Sequence, residues 1–190
     1  MTQTYHKRMI NDTLRQLNAI ITAGVNNEPV DLSALTVKFY MEEEASGTSE
    51  IAETATGITI HPTQIFTGAS TGRATCNGHG VKEGDQIIVA NSGGALPTGL
   101  AASTRYFAVN VTPNAFGLAS LPGGNTVITA AGTGTNTFYV VGSVQYQFLA
   151  ANVDTERRYS AWFVAYSGTA AATAPVAKKG ITVDIVGRGN

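Results

Sequence analysis

In "RATCNGHG", Arg73 to Gly80, a cysteine stands three residues before a histidine. At that spacing a turn can bring a thiol and an imidazole together as nucleophile and base. Cys76 is the only cysteine in the chain, which excludes an internal disulfide framework and a multi-cysteine metal site. A lone strand cysteine ordinarily serves as a small buried apolar residue, and a histidine before a turn glycine ordinarily bonds to the backbone. Those are the roles expected of Cys76 and His79. His6 and His61 stand far from His79, with no H-x-x-x-H or C-x-x-C pair, so no metal site is expected. Glu42, Glu43 and Glu44 offer oxygens for a hard cation such as calcium. Such a run of like charges near a strand end is expected instead to form, with "ASGTSE", a solvated hairpin loop.

Other chemistry is thinner still. "GTGTNT" lacks the lysine and the following helix of a phosphate cradle, and there is no G-x-S-x-G elbow. "NDT" at Asn11 and "NVT" at Asn110 match the glycosylation acceptor, which matters only in a secreted eukaryotic protein. No catalytic residue, cofactor, metal or small-molecule substrate is expected. Tyr106 and Phe107, beside Arg105 and Asn110, offer the weak beginnings of a glycan-binding groove.

The most informative stretch is "SAWFVAY". Strand alternation with Tyr159, Ala161, Phe163 and Ala165 inward sends Trp162, Val164 and Tyr166 to the opposite face. Aromatic residues are enriched in interface hot spots, so these three are the candidate protein–protein interface. The alternative is that another part of the chain covers them.

Composition frames these residues. Only 13% of the 190 residues are charged, about half the usual share, and 43% are hydrophobic. This is not the signature of disorder. The net charge of −1 provides no footprint for nucleic acid or an anionic membrane. No apolar run approaches the length of a membrane span, and the start lacks the apolar region of a secretory signal. A soluble protein made in a cytoplasm is the expectation.

From His61 to Gly142 only Arg73, Lys82, Glu83, Asp85 and Arg105 are charged, five in 82 residues; the other 108 residues carry twenty. A composition shift that begins and ends mid-chain predicts a domain, 61–142, inserted into another formed by 1–60 and 143–190. One continuous sandwich with a neutral middle is the competing arrangement. In the outer segments Leu17, Ala19, Ile21, Ala23 and Val25 alternate, before the turn "NNEP". Ile10, Leu14, Leu17 and Ile21 also fit a helical face, and strand from about Leu14 is the preferred reading. Leu35, Val37, Phe39 and Met41 share one face, as do Val144, Tyr146 and Phe148, and Ile181, Val183 and Ile185. In the middle, "VKEGDQIIVA", "STRYFAVNV", "NAFGLAS", "NTVITA" and "TGTNTFYVV" read as strands separated by turns. The fold class is therefore all-β.

The outer segments resemble an immunoglobulin-like domain of tailed-phage virion proteins, including the N-terminal domain of baseplate upper proteins. "NDTLRQLNAIIT", "EPVDLSALTVKFYM", "GSVQYQF", "RRYSAWFVAYSG" and "ITVDIV" carry that likeness. The middle is similar to a β-module recurrent in phage tail, fibre and decoration proteins. Its carriers are "HGVKEGDQIIV", "LPTGLAASTRYFAVNVTPNAFGLA" and "AGTGTNTFYV", linked as H-G-x-x-x-G-D, L-P-x-G-L, T-x-Y-[FY]-x-V-N and F-x-L.

These resemblances imply a discontinuous immunoglobulin-like β-sandwich with a small inserted β-domain, in a non-enzymatic structural component of a bacteriophage virion. The implied partners are other virion proteins, with several symmetry-related copies of this chain. Neither nucleic acid nor membrane is implied. Baseplate upper proteins continue into a larger C-terminal region, whereas this sequence stops at Asn190. A capsid decoration, neck or tail accessory protein is therefore expected rather than a baseplate adaptor. The virion, assembled in the bacterial cytoplasm, is the implied location. A host-glycan-binding adhesin module of a tail or baseplate is the alternative.

Overall fold

The computed structural model describes residues 4–9, 16–23, 26–68, 72–167, 170–171 and 181–186, with side chains left undescribed in 4–9, 170–171 and 181–186 and at Val153. The described residues form seventeen strands and one 3-10 turn at Ala150–Val153. The chain is all-β and divides into two compact units, Met1–Ile60 with Gly142–Asn190, and His61–Val141. Among the described residues no helix is long and apolar enough to cross a membrane.

In chain order the strands before His61 are β1 (Thr4–Met9), β2 (Gln16–Ile20), β3 (Thr22–Ala23), β4 (Glu28–Pro29), β5 (Thr36–Glu43), β6 (Ser49–Thr54) and β7 (Ile58–Ile60). The second unit holds β8 (Gln64–Gly68), β9 (Ala74–Thr75), β10 (Gln86–Ser92), β11 (Arg105–Thr112), β12 (Ala115–Ala119) and β13 (Thr135–Val140). After Gly142 come β14 (Ser143–Gln147), β15 (Arg158–Ser167), β16 (Ala170–Ala171) and β17 (Ile181–Val186).

The first unit is a sandwich. One sheet runs β1-β17-β15-β5-β6, with β16 also on β15, and the other runs β2-β14-β7. Alternation decides which residues enter the core between them. Val37, Phe39 and Met41 from β5 and Tyr159, Ala161, Phe163 and Ala165 from β15 meet Leu17, Val144, Tyr146 and Phe148. Phe39 is the hinge of this core: it stacks on Tyr146 at 4.0 Å between ring centroids and meets Phe148 edge-on at 6.0 Å. Burying such rings contributes roughly 1.5–3 kcal/mol each. The pairing of β1 with β17 is parallel, while β15 pairs β5 antiparallel over eight residues.

The second unit is a closed barrel, β10-β11-β12-β9-β8-β13. Closure leaves no strand edge, which suits a chain with few charges to protect one. Phe66, Ile87, Val89, Tyr106, Ala108, Phe116, Leu118 and Phe138 are among those filling it. Where backbones cross closely only glycine fits: a Cβ on Gly99, at φ +98°, would sit 1.8 Å from the Val127 carbonyl oxygen.

Several sequence expectations change here. Glu42 and Glu43 do not belong to a loop; they end β5, paired with Ser160 and Tyr159 of β15. "NTVITA" is not a regular strand. Val127 donates to Leu118, whereas Thr129 donates to Thr98, so the segment leaves one partner for another before a ladder can form. Strands β1, β6, β7, β8 and β9 were not expected, being short or rich in threonine and charge. Leu17 lies in a strand rather than a helix; Ile10, Leu14 and Val25 fall outside the described residues. The inward orientation expected of Ile181, Val183 and Ile185 falls outside the described side chains.

Candidate functional site

The face of β5 and β15 turned away from the sandwich core carries the candidate interface. Cross-strand register sets Trp162 against Tyr40, Val164 against Lys38 and Tyr166 against Thr36. Such directly opposed pairs are the unit of sheet stabilisation. Trp162 and Tyr40 stack almost parallel, 2° between planes and 5.4 Å between centroids. Trp162 is only 6% exposed, so it is interior rather than free surface. Val164 and Tyr166 are half-buried.

A polar network joins this face to β6. Tyr40 donates its hydroxyl to Glu53 Oε2 at 2.8 Å, because a carboxylate only accepts. Tyr166 then donates to the Tyr40 oxygen at 2.7 Å, the one arrangement that satisfies both hydroxyls. Lys38 Nζ donates to Glu53 Oε1 and lies 5.0 Å from the centroid of the Tyr166 ring. Glu53 reaches this face through a bulge. Register between β5 and β6 shifts from Phe39↔Thr54 to Met41↔Ile51, so two residues of β6 oppose Tyr40. Burial first, then the bonds to Tyr166 and Glu53, push the Tyr40 phenol above its ordinary range. The Lys38 bond, then the Tyr40 bond, hold the Glu53 carboxyl below its own. The group is an ion pair and two phenols with all their charge matched; nothing in it is a poised base.

The remaining candidates are held by structure. Val81 donates its backbone N–H to His79 Nδ1 at 2.9 Å, which places the ring proton on Nε2, donating to the Thr112 carbonyl at 2.8 Å. Both ring nitrogens are thus occupied, and neither serves Cys76. The Cys76 thiol donates to Gln64 Oε1 at 3.4 Å, and burial pushes its pKa up, away from the reactive thiolate. Glu43 accepts from Arg157 at 2.6 Å and from Ser46, while Glu44 accepts from Ser160 at 2.9 Å. Among the described residues no three His, Cys, Asp or Glu side chains converge. Tyr106 does not line a groove. It is 5% exposed inside the barrel, its oxygen accepting the Ala101 N–H at 2.9 Å. Phe107 is half-buried, and Arg105 and Asn110 are exposed. Asn11 falls outside the described residues.

What sequence reasoning missed is the contribution of Lys38, Tyr40 and Glu53. Lys38 and Tyr40 alternate with the inward Val37, Phe39 and Met41, so their outward direction was available in the pattern. No pattern placed Glu53 beside them, since its strand, SEIAET, carries no apolar stripe. No protein family, curated protein sequence or solved structure matches the chain.

Proposed function

We propose that this chain is a non-enzymatic structural component of a tailed-phage virion, a decoration, neck or tail accessory protein that acts by assembly with other virion proteins. The supporting observation is how the barrel uses the residues of its phage-module pattern. His79 ties the "NGHG" turn to β11 through Thr112. Asp85 accepts the Lys82 N–H at 2.7 Å to close the turn into β10. Gly99 lets two backbones cross, and Tyr106 anchors the preceding loop. Phe116 and Leu118 fill the interior. His79, Asp85, Gly99, Tyr106, Phe116 and Leu118 of the pattern all serve the scaffold. It is the resemblance to phage modules that links this scaffold to a particle part.

The glycan-binding alternative loses its central aromatic, because Tyr106 is interior. Two measurements test the proposal together. Mass spectrometry of purified particles should find the chain at several copies per particle, and a glycan array should record no binding by the isolated protein. Specific glycan binding by a chain missing from particles would overturn it.

A further inference from the structure

Among the described strands, four lie at the ends of the two sandwich sheets: β1 and β6 in one, β2 and β7 in the other. An edge strand offers unpaired backbone donors and acceptors to any matching strand, and proteins defend such edges with charge, bulges or shortness. Three of these four carry a defence. The β6 edge has two register shifts and the sequence SEIAET. Glu50 and Glu53 place charge along it. The β1 edge, TYHKRM, carries Lys7 and Arg8. The β7 edge is three residues long.

The β2 edge, QLNAI, has no charge, no proline and no bulge; all five residues pair with β14 in unbroken register. Its inward residue Leu17 is fully buried, while Gln16 and Asn18 are exposed and Ile20 is 44% exposed. We infer that this edge is a self-pairing site, taking the β2 strand of a second copy of the chain antiparallel about a two-fold axis through Asn18. That register sets Asn18 against Asn18 and the exposed Ile20 beside the partner's Gln16. Amides donate and accept, so an Asn–Asn pair is complementary to itself. The two three-stranded sheets become one of six strands. An isologous contact of this kind is the commonest route to a dimer, and one strand edge predicts a weak, concentration-dependent one. The inference does not rest on the virion reading.

The test uses the whole chain. Sedimentation velocity should show a monomer–dimer equilibrium with a dissociation constant of roughly micromolar to millimolar. N18K sets two lysines face to face and should raise that constant at least about fivefold, with the melting temperature unchanged. N18C in a Cys76→Ser background should form an 18–18 disulfide between copies on mild oxidation. A chain that stays monomeric to about 1 mM would overturn the inference. So would a dimer that N18K leaves intact and N18C does not cross-link.

Discussion

The phenolic oxygens of Tyr40 and Tyr166 lie 2.7 Å apart on the outer face of the sandwich, although 126 residues separate them in sequence. The bond ties β5 to β15, strands that precede and follow the barrel unit in the sequence. Because Tyr40 donates onward to Glu53, which also accepts from Lys38, three strands share one network. Removing the Tyr40 hydroxyl leaves Glu53 and Tyr166 each one partner short. Tyr40→Phe should therefore destabilise the first unit by about 1 kcal/mol, read from chemical denaturation. An unchanged denaturation midpoint would mean that water replaces the hydroxyl without loss.

Alkaline pH should act through the same phenol. In the folded chain the Tyr40 pKa is raised from 10.0, and those of Tyr146 and Tyr159 are raised as well, all three chiefly by burial. As pH rises through 10 the unfolded chain loses these protons while the folded chain keeps them. The unfolded state then binds fewer protons, so stability falls with rising pH. Melting temperature should decline as pH rises through 10, less steeply in Tyr40→Phe.

Trp162 separates core from interface. Stacked on Tyr40 and 6% exposed, it should behave as a core residue. Trp162→Ala should cost about 3–5 kcal/mol in stability. Tyr166→Ala, at a half-buried position, should cost less and is the better probe of docking. If Trp162→Ala keeps the wild-type melting temperature yet blocks incorporation into particles, the ring is a surface anchor after all.

The barrel should be removable. Ile60 pairs with Val144 in the β7–β14 ladder, so the chain leaves and re-enters the first unit at neighbouring strands. Gly142 should be kept, since its carbonyl accepts the Ile21 N–H at 2.8 Å and a Cβ there would sit 2.6 Å from the Ile21 carbonyl oxygen. Replacing His61–Val141 by a short Gly/Ser linker should leave a cooperatively melting β-domain. An insoluble or molten product would show that the first unit depends on the barrel.

Much of this fold was legible from alternation. Val37, Phe39 and Met41, and Tyr159, Ala161, Phe163 and Ala165, face the core as their period of two requires. Alternation failed where strands carry no apolar stripe. In β6, Ile51 is the one buried residue, beside an exposed alanine and among serine, glutamate and threonine, and pairing with β5 rather than composition makes it a strand. The outward direction of Trp162 was legible, but its burial was not, because the stack on Tyr40 depends on cross-strand register. Glu53 stayed invisible for a related reason: a bulge, which no single strand encodes, swings it toward Lys38 and Tyr40.

The proposed role makes the chain a particle part whose barrel is a scaffold. Cryo-electron microscopy of purified particles tests it most directly. That role predicts density for both units at symmetry-related positions, with the β5–β15 face or the β2 edge against a neighbouring protein. Particles of full composition and symmetry with no density for the chain, and no loss of infectivity when its gene is deleted, would contradict it.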